Sequence, residues 1–250
     1  MFYVKIRSRH ASHNALRKAI LSPKKVVVRF GSTTEMPGYD IEINTVESVI
    51  NSSNKLKMNK LFKANNINSP KIYTNLEINK IMRFPIVAKK IYSSRGRGLI
   101  LIRDANEFNQ FLNVTNVCNY YFQPFFNGAD EFRIHILDDR CIVAFRKALK
   151  RDTPEEQKFF RNSKNCVFYN EANPEFRKPE NWDEIVQECI KATKAVGLTL
   201  SGVDIRCKTK CKDRNGFKIV EVNSAPSLSE NTADIYIKSL SELIMEKCKS

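Results

Sequence analysis

The chain has 250 residues, 42% of them hydrophobic, and carries 42 Lys+Arg against 27 Asp+Glu for a formal charge of +15 at pH 7. That length supports a sizeable core, as one large domain or two to three lobes, and the positive excess suits an anionic partner such as a nucleotide, phosphorylated metabolite, acidic peptide or nucleic acid. No apolar run approaches the roughly 20 residues a membrane span needs, the start Met1-Phe-Tyr-Val-Lys-Ile-Arg7 lacks a signal-peptide core, and seven cysteines without paired metal spacing suit a reducing, cytoplasmic compartment.

Short β-branched or aromatic runs alternate with helical patterns, which predicts an α/β or α+β chain. A small first lobe, residues 1–52, reads as a strand from Phe2 to Ile6, a helix from Asn14 to Leu21, a strand from Lys25 to Phe30 and an irregular stretch from Gly31 to Gly38. A central lobe, residues 53–125, opens with a helix from Leu56 to Asn65. It continues with a strand from Pro85 to Ile91, the loop Tyr92-Ser-Ser-Arg-Gly-Arg-Gly98, a strand from Leu99 to Ile102, a helix from Ala105 to Leu112 and a strand from Tyr120 to Phe125. The last lobe, residues 126–250, holds strands from Glu131 to Leu137 and Cys141 to Leu149, a polar loop to about Pro179 and a helix from Asp183 to Val196. Two further strands, around Asp204 and Glu221, precede a final helix from Ala233.

Chemistry concentrates at three places. In Ile219-Val-Glu-Val-Asn-Ser-Ala-Pro226, Glu221 and Asn223 stand two apart on a strand and so face the same way. The run Ser201-Gly-Val-Asp-Ile-Arg206 brings a further acid, Asp204, on a strand that can pair beside the first. Three oxygen ligands of this kind suit Mg2+ or Mn2+, although an acid at a strand end is just as commonly solvated or salt-bridged. In the Tyr92–Gly98 loop, Gly96 and Gly98 allow close backbone approach to a phosphate, and Ser93, Ser94, Arg95 and Arg97 supply donors; a tight hairpin uses glycine as well. Lys89, inside Pro85-Ile-Val-Ala-Lys-Lys90, points inward if its apolar neighbours are buried, and an inward lysine needs an anion. A basic concentration at Lys147, Lys150, Arg151, Lys158 and Arg161 reads either as a solvated loop or as a polyanion site.

These residues together resemble the ATP-grasp superfamily, most closely its RimK-like branch of carboxylate–amine ligases. Pro85 to Leu101 looks like that branch's strand, phosphate loop and second strand. Asn54-Lys55 with Ile67-Asn-Ser-Pro70 is similar to the start of its central lobe, Tyr121-Phe-Gln-Pro-Phe125 falls at the adenine-holding hinge, and Glu131-Phe-Arg133 opens the next strand pair. Gly202-Val-Asp204 and Glu221-Val-Asn-Ser-Ala-Pro226 match the metal motif, so the likeness runs collinearly over roughly residues 52 to 245. Pro124-Phe125 replaces the acidic–aromatic pair common in the branch, and Ser227-Leu-Ser-Glu-Asn231 lacks its usual glycine. With its small size the chain also looks similar to compact ATP-grasp proteins encoded by phages.

The resemblance implies two α/β lobes clasping ATP behind a small N-terminal lobe. It implies ATP phosphates on Lys55, Lys89, Ser93, Ser94, Gly96 and Gly98, and adenine at Gln123, the Pro124 carbonyl and the Phe125 amide. Ribose hydroxyls would meet Glu131, and the phosphates or an acyl phosphate would meet Arg161 and Asn162, with Arg133 and Lys147 completing the catalytic group. Mg2+ or Mn2+ would bind Asp204, Glu221 and Asn223. The implied activity is ligation of a carboxylate to an amine, from an amino acid, peptide or protein terminus, through an acyl phosphate with release of ADP and phosphate. Two alternatives accompany it: an ATP-grasp kinase whose polyanionic substrate rests on Arg146, Lys147, Lys150, Arg151 and Lys158, and a non-enzymatic nucleic-acid-binding module. The stretch Arg29-Phe-Gly-Ser-Thr-Thr34 has no clear counterpart in the branch; Arg29 is a candidate for holding the acceptor carboxylate.

Overall fold

A computed structural model of the chain describes residues 2–6, 11–92, 98–162, 164–208, 211–227 and 230–249, and among these the strands form three sheets. The first is parallel, in the order β1 (Phe2–Ile6), β2 (Val26–Phe30), β3 (Ile41–Ile43). Strand β2, three valines followed by Arg29 and Phe30, is buried at every position, as a strand covered on both faces requires. Val26, Val28 and Phe30 pack with Leu16 of α1 (Ala11–Ala19) and with Tyr236, Leu240 and Ile244 of the last helix, α6 (Glu230–Lys249). The two ends of the chain thus share one core. Helix α1 begins three residues before the expected Asn14. Strand β3 and α2 (Val46–Ser53) lie where the sequence shows no clear period. Three residues are too few for alternation to register, and α2 depends on the Thr45 side chain accepting from Ser48 N–H and on buried Val49 rather than on its Ser- and Asn-rich composition.

Helix α3 (Lys55–Ala64) starts under an Asn54 cap that accepts from Leu56 and Lys57 N–H, which places Lys55 at the helix N-terminus. The second sheet follows, antiparallel in the order β5 (Leu99–Ile102), β4 (Ile86–Lys90), β6 (Tyr120–Pro124), with α4 (Ala105–Val114) packed across it through Phe108 and Phe111.

The third sheet is antiparallel, in the order β11 (Phe217–Asn223), β10 (Leu200–Cys207), β7 (Asp130–Leu137), β8 (Arg140–Leu149), β9 (Cys166–Asn170). Strand β9 lies inside the segment expected to be a polar loop. On one face Phe132, Ile134, Ile136, Val203, Ile205, Phe217, Ile219 and Val222 pack on Trp182, Ile185 and Cys189 of α5 (Trp182–Ala195). Each such side chain is worth about 1.5–3 kcal/mol when fully buried, so this face anchors the lobe. The opposite face is where charged residues collect.

Candidate functional site

Strand alternation builds the site. With Phe132, Ile134 and Ile136 committed to the core, Glu131, Arg133 and His135 must face the other way. The register sets Glu131 against Arg206, Arg133 against Asp204 and His135 against Gly202; on the next strand Asp204 stands against Glu221 and Gly202 against Asn223. In β11 the core residues Phe217 and Ile219 are followed by Val222, a spacing of three that breaks the two-residue period. A register shift between Asp204 and Ile205 absorbs the extra residue. That bulge turns Glu221 and Asn223 onto the face of Asp204.

Cations fill the spaces between these acids. Arg133 grips Asp204 at two points, Nε to Oδ1 at 2.8 Å and Nη2 to Oδ2 at 2.7 Å. Lys147 Nζ lies 2.9 Å from Asp204 Oδ1 and 2.8 Å from Glu131 Oε1, and Arg206 Nε donates to Glu131 Oε2 at 3.1 Å. Lys55 reaches from the start of α3 to pair with Glu221. Burial alone would raise the Asp204 and Glu131 carboxyls, but Arg133 with Lys147, and Lys147 with Arg206, outweigh it and hold both below the ordinary carboxylate range. Lys89 turns inward while Lys90 remains exposed, and burial pushes the Lys89 ammonium down to about 8 against the pull of Glu221.

The donor set suits a hard divalent cation. Among the described residues no three His, Cys, Asp or Glu side chains cluster for a metal, and the neutral side-chain oxygen that shares the face of Asp204 and Glu221 is an amide. Asn223 supplies one, and its buried Nδ2 has no hydrogen-bond partner, so no protein acceptor ties the carboxamide down through its nitrogen. Two acids and a neutral oxygen fit Mg2+ or Mn2+.

Other expected residues fall as follows. Ser93, Ser94 and Gly96 lie outside the described residues; Gly98 has φ +76°, and a Cβ there would stand 2.7 Å from the Lys90 side chain, so glycine is required for the turn. Gln123 is buried on β6 opposite Val87. The Phe125 amide, expected at the adenine edge, donates instead to the Pro85 carbonyl at 3.0 Å. The reason is alternation: Phe122 bonds outward to Tyr73, so Phe125 points its N–H back toward β4, whereas the Pro124 carbonyl shares the outward side. Alternation carried past the end of the strand would put the next outward amide at Phe126. Arg161 donates from Nη2 to the Ala129 carbonyl at 2.7 Å and lies 4.0 Å from Glu131. Asn162 spends Oδ1 on the Lys164 and Asn165 amides, leaving its Nδ2 as what it can offer an anion.

Arg29 does not stand open for a substrate. Its side chain is sealed from solvent and paired with Glu42, and Nη1 also donates to the Asn44 carbonyl at 3.3 Å. The basic cluster is divided as well: Arg146 turns away from the site to Asp130, Lys147 turns in to Glu131, Lys150 donates to the Lys164 carbonyl and Lys158 pairs with Glu155. Sequence reasoning passed over Arg206 and His135. Arg206 was findable, since it lies two residues after Asp204 on the same strand; His135, bonded through Nδ1 to Tyr236 Oη at 2.7 Å, looked like one polar residue in an apolar run. A cavity of about 570 Å³ runs beside α5, lined by Glu184, Glu188 and Lys191, on the far side of the sheet from Asp204.

The RimK-like ATP-grasp domain family matches residues 52–246, most of the chain. The chain belongs to that family. It is 25% identical over 214 residues to the tetrahydromethanopterin:alpha-L-glutamate ligase of Methanococcus maripaludis, covering 80% of this chain and 66% of that protein. It is 26% identical to the Methanocaldococcus jannaschii protein of the same name, covering 80% of this chain and 67% of that one. The chain therefore spans about two thirds of the length of these relatives. Among solved structures, the fold is shared with the D-alanine–D-alanine ligase of Bacillus anthracis (TM-score 0.66, 13% identity, 98% of this chain and 95% of that one). It is also shared with the ATP-grasp ligase PsnB complexed with minimal precursor, Mg and ADP (TM-score 0.58, 16% identity, 84% and 63%). The expected ATP-grasp fold is thus the one adopted, and among the described residues no helix is long and apolar enough to cross a membrane.

Proposed function

We propose that this protein is an ATP-dependent carboxylate–amine ligase. The observation that carries the reading is the Asp204–Glu221–Asn223 trio, set on one sheet face by the β11 bulge and ringed by Lys55, Lys147 and Arg133, with Lys89 facing it from the second sheet. The names of its relatives support an amino acid or peptide as a substrate, one partner giving a carboxylate and the other an amine.

In this reading the adenine edge meets the Pro124 carbonyl, which can only accept because proline has no N–H, and the Phe126 amide, which takes the place expected for Phe125. Glu131 keeps unused lone pairs for the ribose hydroxyls. Lys55 and Lys89 hold the phosphates, together with Ser93, Ser94, Gly96 and Gly98. Mg2+ or Mn2+ on Asp204, Glu221 and Asn223 would neutralise phosphate charge. A carboxylate oxygen attacks the γ-phosphorus and ADP leaves; the amine nitrogen then attacks the acyl carbon, the C–O bond to phosphate breaks and the amine gives up a proton. Arg133, Lys147, Arg161 and the Asn162 amide are positioned to offset the negative charge that moves between these oxygens.

The divided basic cluster argues against a polyanion-binding kinase, because Arg146 and Lys147 occupy opposite faces. A nucleic-acid-binding module leaves the acid–amide trio and the inward Lys89 without a purpose. Incubation with Mg-ATP, an acid and an amine is expected to yield ADP, phosphate and an amide. AMP with pyrophosphate would contradict this mechanism, and ADP with a stable phosphorylated alcohol would favour the kinase.

A further inference from the structure

We propose that Arg206 is a nucleotide-positioning residue, stacking its guanidinium plane against the nucleobase and thereby making the base, rather than the phosphates alone, a source of affinity. The inference rests on the nucleotide site proposed above.

Its position comes first. Arg206 follows Asp204 by two residues and stands opposite Glu131, so it faces the same side of the sheet as both. A nucleotide with its base at the Pro124 edge and its ribose at Glu131 spans the interval that Arg206 overlooks. The guanidinium carbon already lies 5.4 Å from the centroid of the Phe125 ring, within cation–π range of the hinge itself.

Its orientation is fixed. Nε donates to Glu131 Oε2 at 3.1 Å and Nη2 donates to the Phe159 carbonyl, two bonds that set the plane, while Nη1 has no partner among the described residues. Only 12% of the side chain is exposed, so the cation is held in a partly dry space where π-stacking gains strength.

Holding Glu131 ionised needs positive charge but not an arginine's plane. Lys147 at 2.8 Å, shared with Asp204, and Arg161 at 4.0 Å also face Glu131, so Arg206 is one of three cations about one carboxylate. What it adds is a flat, delocalised face beside an aromatic hinge. A lysine or an aliphatic residue supplies neither the plane nor its fixed fork.

The test compares ADP with inorganic tripolyphosphate, which has no base, by calorimetric titration of wild type, Arg206→Met and Arg206→Lys. The expected result is ADP affinity about tenfold weaker in Arg206→Met, with tripolyphosphate affinity within twofold of wild type. Arg206→Lys keeps the charge opposite Glu131 and should fold even if the methionine variant does not; it is expected to weaken ADP about threefold and leave tripolyphosphate unchanged. A merely structural arginine would lower the folded fraction without moving the ratio of the two affinities. Equal losses for both ligands would overturn the proposal by making Arg206 a phosphate contact, and unchanged ADP affinity in a folded variant would overturn it outright. Wild-type protein that binds tripolyphosphate but not ADP would overturn it too, and the nucleotide site with it.

Discussion

Arg133 and Asp204 meet across the β7–β10 ladder as a two-point ion pair, with bonds of 2.8 and 2.7 Å, on the face of the sheet opposite its apolar core. The pair holds a carboxylate ionised inside the lobe. It also ties the first strand of the lobe to the strand that bears Asp204.

Removing one partner tests that tie. Breaking a buried pair costs roughly 3–5 kcal/mol, but 23% of the Arg133 side chain is exposed and Lys147 still touches Asp204. Arg133→Met is therefore expected to lose about 1–2 kcal/mol in urea unfolding, after discounting for solvent screening. Arg133→Met with Asp204→Asn should recover part of that loss. Additive losses in the double variant would show that the two residues are not coupled.

His135 makes stability fall in mild acid. Burial, with Arg133 and Lys147 nearby, pushes its imidazole down to about 3 from an ordinary 6.5, against the opposing charge of Asp204, while Tyr236 and Phe145 pack on the ring. A lowered folded value means the neutral form is the folded one. The contribution is complete above pH 6.5 and is lost as pH falls from 6.5 toward 3. The unfolding free energy of wild type minus that of His135→Gln should then decline by about 1.4 kcal/mol per pH unit over that window. A difference that stays constant with pH would contradict it.

Much of this was legible from residues alone. The inward Lys89, the Asp204–Glu221 pairing and the ATP-grasp likeness follow from alternation and from the order of motifs along the chain. What escaped depended on contacts distant in sequence. Strand β9 is recognisable only by its pairing with β8, and the burial of Arg29 depends on Glu42 and Asn44 from the neighbouring strand and its end. That the Phe125 amide donates to Pro85 was equally hidden, because the direction of a backbone N–H is set by which neighbour its strand pairs with.

Lys89 should couple nucleotide binding to a proton. With the free protein's ammonium pushed down to about 8, a bound phosphate draws the proton back, so binding above that pH takes one up. ADP affinity is expected to fall by up to about tenfold per pH unit between pH 8 and 9.5, and Lys89→Arg, which keeps its charge throughout, should flatten the profile. Parallel profiles for the two proteins would show that Lys89 does not meet the phosphates.

Glu221→Gln keeps the shape of the side chain and removes one negative charge from the trio. Turnover per folded molecule should drop by about two to three orders of magnitude. Asn223→Asp keeps an oxygen, adds charge, and should lose less or shift preference toward Mn2+. Wild-type turnover and Mg2+ dependence in folded Glu221→Gln would remove the metal site.

The most direct measurement follows the carboxylate oxygens. With an acid substrate carrying heavy oxygen in its carboxylate, an amine and unlabelled Mg-ATP, ligation through an acyl phosphate transfers one labelled oxygen to each inorganic phosphate released, read by mass spectrometry alongside the amide. Unlabelled phosphate formed together with the amide would show that the carboxylate never took the phosphoryl group, and would contradict the mechanism at its centre.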